Sequence, residues 1–110
     1  MEYVNGRVFT SPSDSRAWEP DDDVGGAAHM LFDLGETKAG LWRASPEGAV
    51  PTEVEIPARE TILVLEGGVR VAIDRGEPHE LRVGDMLSIP ARAVVGWDPS
   101  PDCLVFWVYS

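Results

Sequence analysis

From Ala27 onward, short apolar runs alternate with turn residues. The runs span residues 27–32, 40–44, 52–56, 61–65, 69–73, 80–83, 86–89, 94–97 and 103–109. Each has the length of a strand and none the length of a typical helix. Val69, Val71 and Ile73 alternate with Arg70 and Ala72, the period of a strand with one buried face. Residues 61–65 are apolar after the first, the pattern of a strand covered on both sides. Turn chemistry separates the runs. Pro57 ends the third run, and Gly67-Gly68 predicts a two-residue hairpin turn with positive φ. Asp74-Arg75-Gly76 and Gly84-Asp85 predict two more turns, and Pro99-Ser100-Pro101 divides the last two runs. No run of ten residues holds a 3.6-residue apolar repeat free of Gly and Pro, so no helix is expected. The spacing predicts an all-β sandwich or barrel.

Residues 1–26 lack any such period. They carry Ser11-Pro12-Ser13-Asp14-Ser15, then Glu19-Pro20-Asp21-Asp22-Asp23, then Gly25-Gly26. This part reads as an arm with turns, anchored by Tyr3, Val4, Val8, Phe9 and Trp18, ahead of a barrel over residues 27–110. An arm of this kind either packs across its own barrel or pairs with a neighbouring subunit, where it would also cover a sheet edge.

At 110 residues the chain is expected to form one domain with a modest core. Its formal net charge of -10 disfavours nucleic acid and anionic membrane surfaces as partners, because both need clustered Lys or Arg. Cys103 is the single cysteine, which excludes an internal disulfide. It adjoins the apolar run Leu104-Val105-Phe106-Trp107-Val108 and reads as a small buried hydrophobe. Neither a signal peptide nor a transmembrane segment is evident, and a cytoplasmic location is expected.

Histidine offers little: His29 shares the parity of Ala27 and Leu31, and His79 follows Pro78 beside a turn. No Ser-His-Asp or Cys-His spacing is present, and neither Gly-Gly pair opens a phosphate-binding helix. Carboxylates and indoles are more informative. Glu60, six residues and Gly67 form one spaced unit; Gly84, five residues and Pro90 form a second. These resemble the end of the first and the start of the second sequence motif of cupins. The resemblance covers about residues 40–110. It is strongest to the subfamily of ureidoglycine aminohydrolase-like proteins and of the cupin domain of an ethanolamine-utilisation protein. Members of that group often carry Trp at the positions of Trp42 and Trp97. The resemblance implies a single-domain, jelly-roll-like β-barrel of two facing sheets, commonly a homodimer, with a ligand pocket at the wide end.

The departures from the motifs shape the expected chemistry. The three histidine positions of the family read Glu53, Glu55 and Val95, the usual glycine after Pro-x is Arg92, and an Asn position holds Pro99. Imidazole and carboxylate together suit iron, manganese, nickel or zinc, and the lone carboxylate of Glu60 does not. No metal and no cofactor are therefore expected. On the family's register, Glu53 and Glu55 share the face that lines the barrel and Glu60 joins them. Three carboxylates in one pocket raise at least one pKa, which suits acid/base work by Glu60 with Glu55 and Glu53 assisting. Binding of a hard cation such as Mg²⁺ or Ca²⁺, pairing with Arg43, Arg59 or Arg92, and a solvated rim are the alternatives. Trp42, Trp97, Arg92 and His29 are the candidate ligand-binding residues. Trp107 is weighed as part of an aromatic wall with Trp42 and Trp97, but with Tyr109 it shares the parity of Cys103 and Val105, on a face read as turned from the pocket. The expected partner is a small polar metabolite, with lyase, isomerase or amidohydrolase chemistry. A non-catalytic binding or sensing module, or a dimerisation scaffold, is the alternative.

Overall fold

A computed structural model describes residues 7–45 and 51–110. The proposed anchors Tyr3 and Val4 lie outside that range. Ten strands form two antiparallel sheets. The strands are β1 (Glu19–Pro20), β2 (Ala27–Asp33), β3 (Lys38–Arg43), β4 (Thr52–Glu55), β5 (Glu60–Glu66), β6 (Gly68–Ile73), β7 (His79–Arg82), β8 (Met86–Ile89), β9 (Val94–Pro99) and β10 (Leu104–Tyr109). One sheet has the order β1-β2-β3-β10-β5-β8 and the other β4-β9-β6-β7. Nine of these strands lie on the nine apolar runs. The two-residue β1 pairs Glu19 with Ala28 and Pro20 with Ala27, inside the segment read as an arm. No described helix is long and apolar enough to cross a membrane.

The two sheets face each other, and period-2 alternation decides what lies between them. Trp42, Ile62, Val64, Val105 and Ile89 come from the six-stranded sheet, and Val69, Val71, Val95 and Trp97 from the other. Together they form a single core cluster with Cys103, which is buried as its apolar neighbours implied. Strand β5 departs from the expectation of burial on both faces. Ile62 and Val64 are 1% exposed, whereas Leu65 on the outer side is 39% exposed.

Gly67-Gly68 is a corner rather than a hairpin. β5 and β6 belong to different sheets, and Gly68 already opens β6. Only Gly67 has positive φ, at 65°. A Cβ on Gly67 would stand 2.6 Å from both Asp102 Oδ1 and Ser100 Oγ, so the crossing needs glycine for space as well as conformation. Arg92, the residue at the motif's glycine position, has φ 73°. The backbone there is held by Arg92 N–H donating to the Ile56 carbonyl (2.9 Å). The turn thus keeps a glycine-like conformation after losing its glycine, at a cost of about 1 kcal/mol.

The described part of the arm packs across its own barrel. Phe9 meets Phe32 with ring centroids 5.5 Å apart. His29 Nδ1 donates to the Ala17 carbonyl (2.8 Å), and its Nε2 lies 2.7 Å from Ser11 Oγ. Trp18 packs beside His29 and receives the Arg43 guanidinium over its ring at 4.2 Å. Val8 is 80% exposed and anchors nothing.

Candidate functional site

Between the sheets, at one end, lies a cavity of about 410 Å³. The end is set by strand register. Along β5 the inward row runs Val64, Ile62, Glu60, and these face Val105, Trp107 and Tyr109 on β10 in turn. The row passes from packed core into open space, so Glu60, Trp107 and Tyr109 line the cavity while Ile62 and Val64 do not. Gly40 lies opposite Trp107 on β3. A Cβ there would reach 3.0 Å from the Trp107 ring, so glycine leaves room for the indole.

The walls are largely aromatic. Trp42 and Trp97 meet edge to face, with centroids 5.4 Å apart and planes at 81°. Trp107 and Tyr109 stand 5.4 Å apart on the adjacent wall. Trp42 Nε1 donates to the Gly25 carbonyl (2.9 Å). That bond pins the loop of residues 21–26 against the barrel. The loop closes on itself: Asp21 Oδ1 accepts from the backbone N–H of Asp23 (2.9 Å) and Val24 (3.2 Å), and Asp21 N–H donates to the Gly26 carbonyl (3.0 Å). Asp21, Asp23 and Val24 thereby join the cavity lining.

Glu60 is the half-buried acid of the site. Desolvation, and secondarily the charge of Asp21, push its carboxyl up to about 7. No described Lys or Arg pairs with it. Tyr109, opposite Glu60 across the β5–β10 ladder, is pushed up to about 12, first by burial and then by Glu60, Asp21 and Asp23. It is a neutral phenol at any ordinary pH, beside a carboxyl that titrates near neutrality. The buried side-chain polar atoms without a hydrogen-bond partner among the described residues are Thr52 Oγ1 and Trp97 Nε1, on residues facing each other across β4 and β9.

Several candidate residues stand elsewhere. Glu53 faces outward, where Arg75 Nη2 approaches Oε1 at 2.9 Å and holds the carboxyl below its usual range. Glu55, by contrast, is exposed yet is one of the residues that line the cavity with Glu60. The residue between them, Val54, faces in and packs on the core. The period of β4 explains the correction: Val54 and Ile56 are apolar and alternate with the two glutamates, and burial follows the apolar row. His29 is on the outer face under the arm, and Arg92 is an exposed turn residue; neither lines the cavity. Arg43 stacks on Trp18, and Arg59 Nη1 donates to Ser88 Oγ (3.0 Å), so neither neutralises Glu60. Trp107 and Tyr109 face the cavity, contrary to the expectation for them. Core and cavity share one inner face, so parity with the buried Val105 placed them inside.

The donors present do not suit a bound transition metal. No group of three His, Cys, Asp or Glu among the described residues is placed to hold one. The inward positions of β4 and β9 near Glu60 are Val54 and Val95, which offer no ligand atom.

The family model of the EutQ-like cupin domain matches residues 32–101, more than half of the chain. This chain belongs to that family. The cupin's two-sheet architecture is accordingly a jelly roll, and solved structures repeat it. An ethanolamine utilization protein Q from Salmonella typhimurium LT2 superimposes with TM-score 0.75 at 19% identity, covering 89% of this cupin and 81% of that chain. KdgF from Halomonas sp. gives TM-score 0.71 at 24% identity, with 94% of each chain covered. Apo-HppE gives TM-score 0.72 at 12% identity, covering 97% of this cupin; this chain spans 60% of the HppE chain. At these identities the likeness is one of fold. No curated protein sequence matches the cupin.

Proposed function

We propose that this cupin binds a small polar metabolite in the cavity at Glu60 and carries out acid/base chemistry on it without a metal at the histidine positions. The observation that carries the reading is the half-buried Glu60 carboxyl, raised to about 7 by desolvation, in a cavity that Trp42, Trp97, Trp107 and Tyr109 also line. A carboxyl that titrates near the working pH exchanges protons in both directions with little driving-force penalty. Tyr109 supplies a neutral phenol from the next strand, suited to donating a hydrogen bond to a developing oxyanion. A lyase, isomerase or amidohydrolase step would use these two groups.

A non-catalytic binding or sensing role is the second reading. It is favoured by the outward placement of Glu53, paired with Arg75, which leaves the cluster of Glu53, Glu55 and Glu60 unassembled. One experiment separates the two. A metabolite library is screened by thermal shift, and each ligand found is followed by NMR for conversion with the wild type and with Glu60→Gln. Conversion by the wild type that Glu60→Gln lowers at least 100-fold supports the enzyme. Binding without conversion by either protein supports the sensing module. A library that shifts neither melting temperature nor indole resonances overturns both.

A further inference from the structure

Building on the reading that the cavity binds a metabolite, we infer that its occupant is a small organic ammonium ion. Two features converge on a cation. Trp42, Trp97 and Trp107 line the space. An indole face turned to the cavity attracts a cation, because the ring carries negative charge on its face. Carboxylates complete the lining. Glu60 lies inside, and Asp21, Asp23 and Glu55 surround the mouth. Lys38 is the one cationic side chain among the lining residues, and it pairs with Asp33 at 3.7 Å. An anionic metabolite would meet four carboxylates and one occupied ammonium, whereas a cation enters down the field. The formal net charge of -10 steers in the same direction.

The acidic residues are also set in place before binding. The Trp42–Gly25 bond and the closed Asp21 loop hold them, so little ordering is lost when a ligand arrives.

Choline chloride and 3,3-dimethylbutan-1-ol test the charge directly, since they share shape and hydroxyl while carbon replaces the nitrogen. Calorimetry on the full chain, with the indole N–H resonances followed by NMR, should show choline binding at least about tenfold tighter than its neutral isostere. It should also move the Trp97 and Trp107 signals. Glu60→Gln should weaken choline about tenfold and leave the isostere's affinity unchanged. Equal affinity for the two compounds overturns the cation assignment but leaves the binding cavity standing. So does a neutral or anionic library compound that displaces the Trp97 signal where choline does not. Choline binding that moves neither indole places the cation elsewhere and also overturns the assignment. If no compound of any charge perturbs these indoles, the cavity reading itself falls.

Discussion

Strand β5 passes through two environments on a single face. At one end Val64, 1% exposed, is packed in the core beside Val105; at the other Glu60 and Tyr109 stand side by side on the cavity wall. Both ends obey the same alternation, and both rows continue onto β10. What differs is position along the strand. The packed end gains stability from apolar burial, and the open end gives some of it up by holding a carboxyl out of water. In this barrel, parity separates inside from outside, and distance along the strand separates core from site.

The comparison breaks first at Ile62, where packed core gives way to cavity. Ile62→Ala is expected to destabilise the protein by about 3–4 kcal/mol, because a side chain 1% exposed leaves a void that its neighbours fill only in part. Urea denaturation at neutral pH would measure it. A loss under about 1 kcal/mol would mean that the cavity already extends to this residue.

The open end should respond in the opposite sense. The Glu60 pKa rises from 4.5 to about 7 on folding, so the folded state binds the proton more tightly than the unfolded chain. The wild type should therefore be most stable below about pH 4.5 as far as this group is concerned, and should lose stability as pH climbs to 7. Tyr109, Asp21, Asp23, Glu55 and Lys38 border the same space, and the charge of Asp21 acts with desolvation rather than against it. Glu60→Gln removes the titration. It should gain about 2–3 kcal/mol over the wild type at pH 8 and nothing at pH 3.5. Denaturation curves of both proteins at the two pH values decide it. A variant that matches the wild type at both pH values would place the Glu60 carboxyl in water.

The smallest expected effect tests a turn that belongs to neither end. Arg92→Gly should stabilise by about 1 kcal/mol at most, since relief of positive φ is offset in part by the extra freedom of an unfolded glycine. A loss of stability would mean that the arginine side chain contributes more than its backbone costs.

The strands were legible because turn residues and apolar runs punctuate this chain clearly, and the motif spacing around Glu60, Gly67, Gly84 and Pro90 marked the cupin. The site was legible in part. Glu60, Trp42 and Trp97 carry motif positions and do line the cavity. Glu53 and Glu55 were placed by motif analogy; Glu55 does line the cavity, whereas Glu53 pairs with Arg75 outside it, as the apolar alternation of Val54 and Ile56 implied. Trp107 was weighed both as pocket wall and as turned away, because core and pocket were treated as opposite faces. Asp21 and Asp23 left no readable signal. They enter through a loop held by one indole hydrogen bond and a two-residue strand, contacts made between distant parts of the chain.

That loop has an evolutionary implication. Asp21, Asp23 and Val24 border the cavity. They form a cassette clipped on by Gly25, in which Asp21 closes the loop and Val24 packs on the core. Exchange of Asp23 would therefore change the charge beside the cavity while the loop and the barrel keep their architecture.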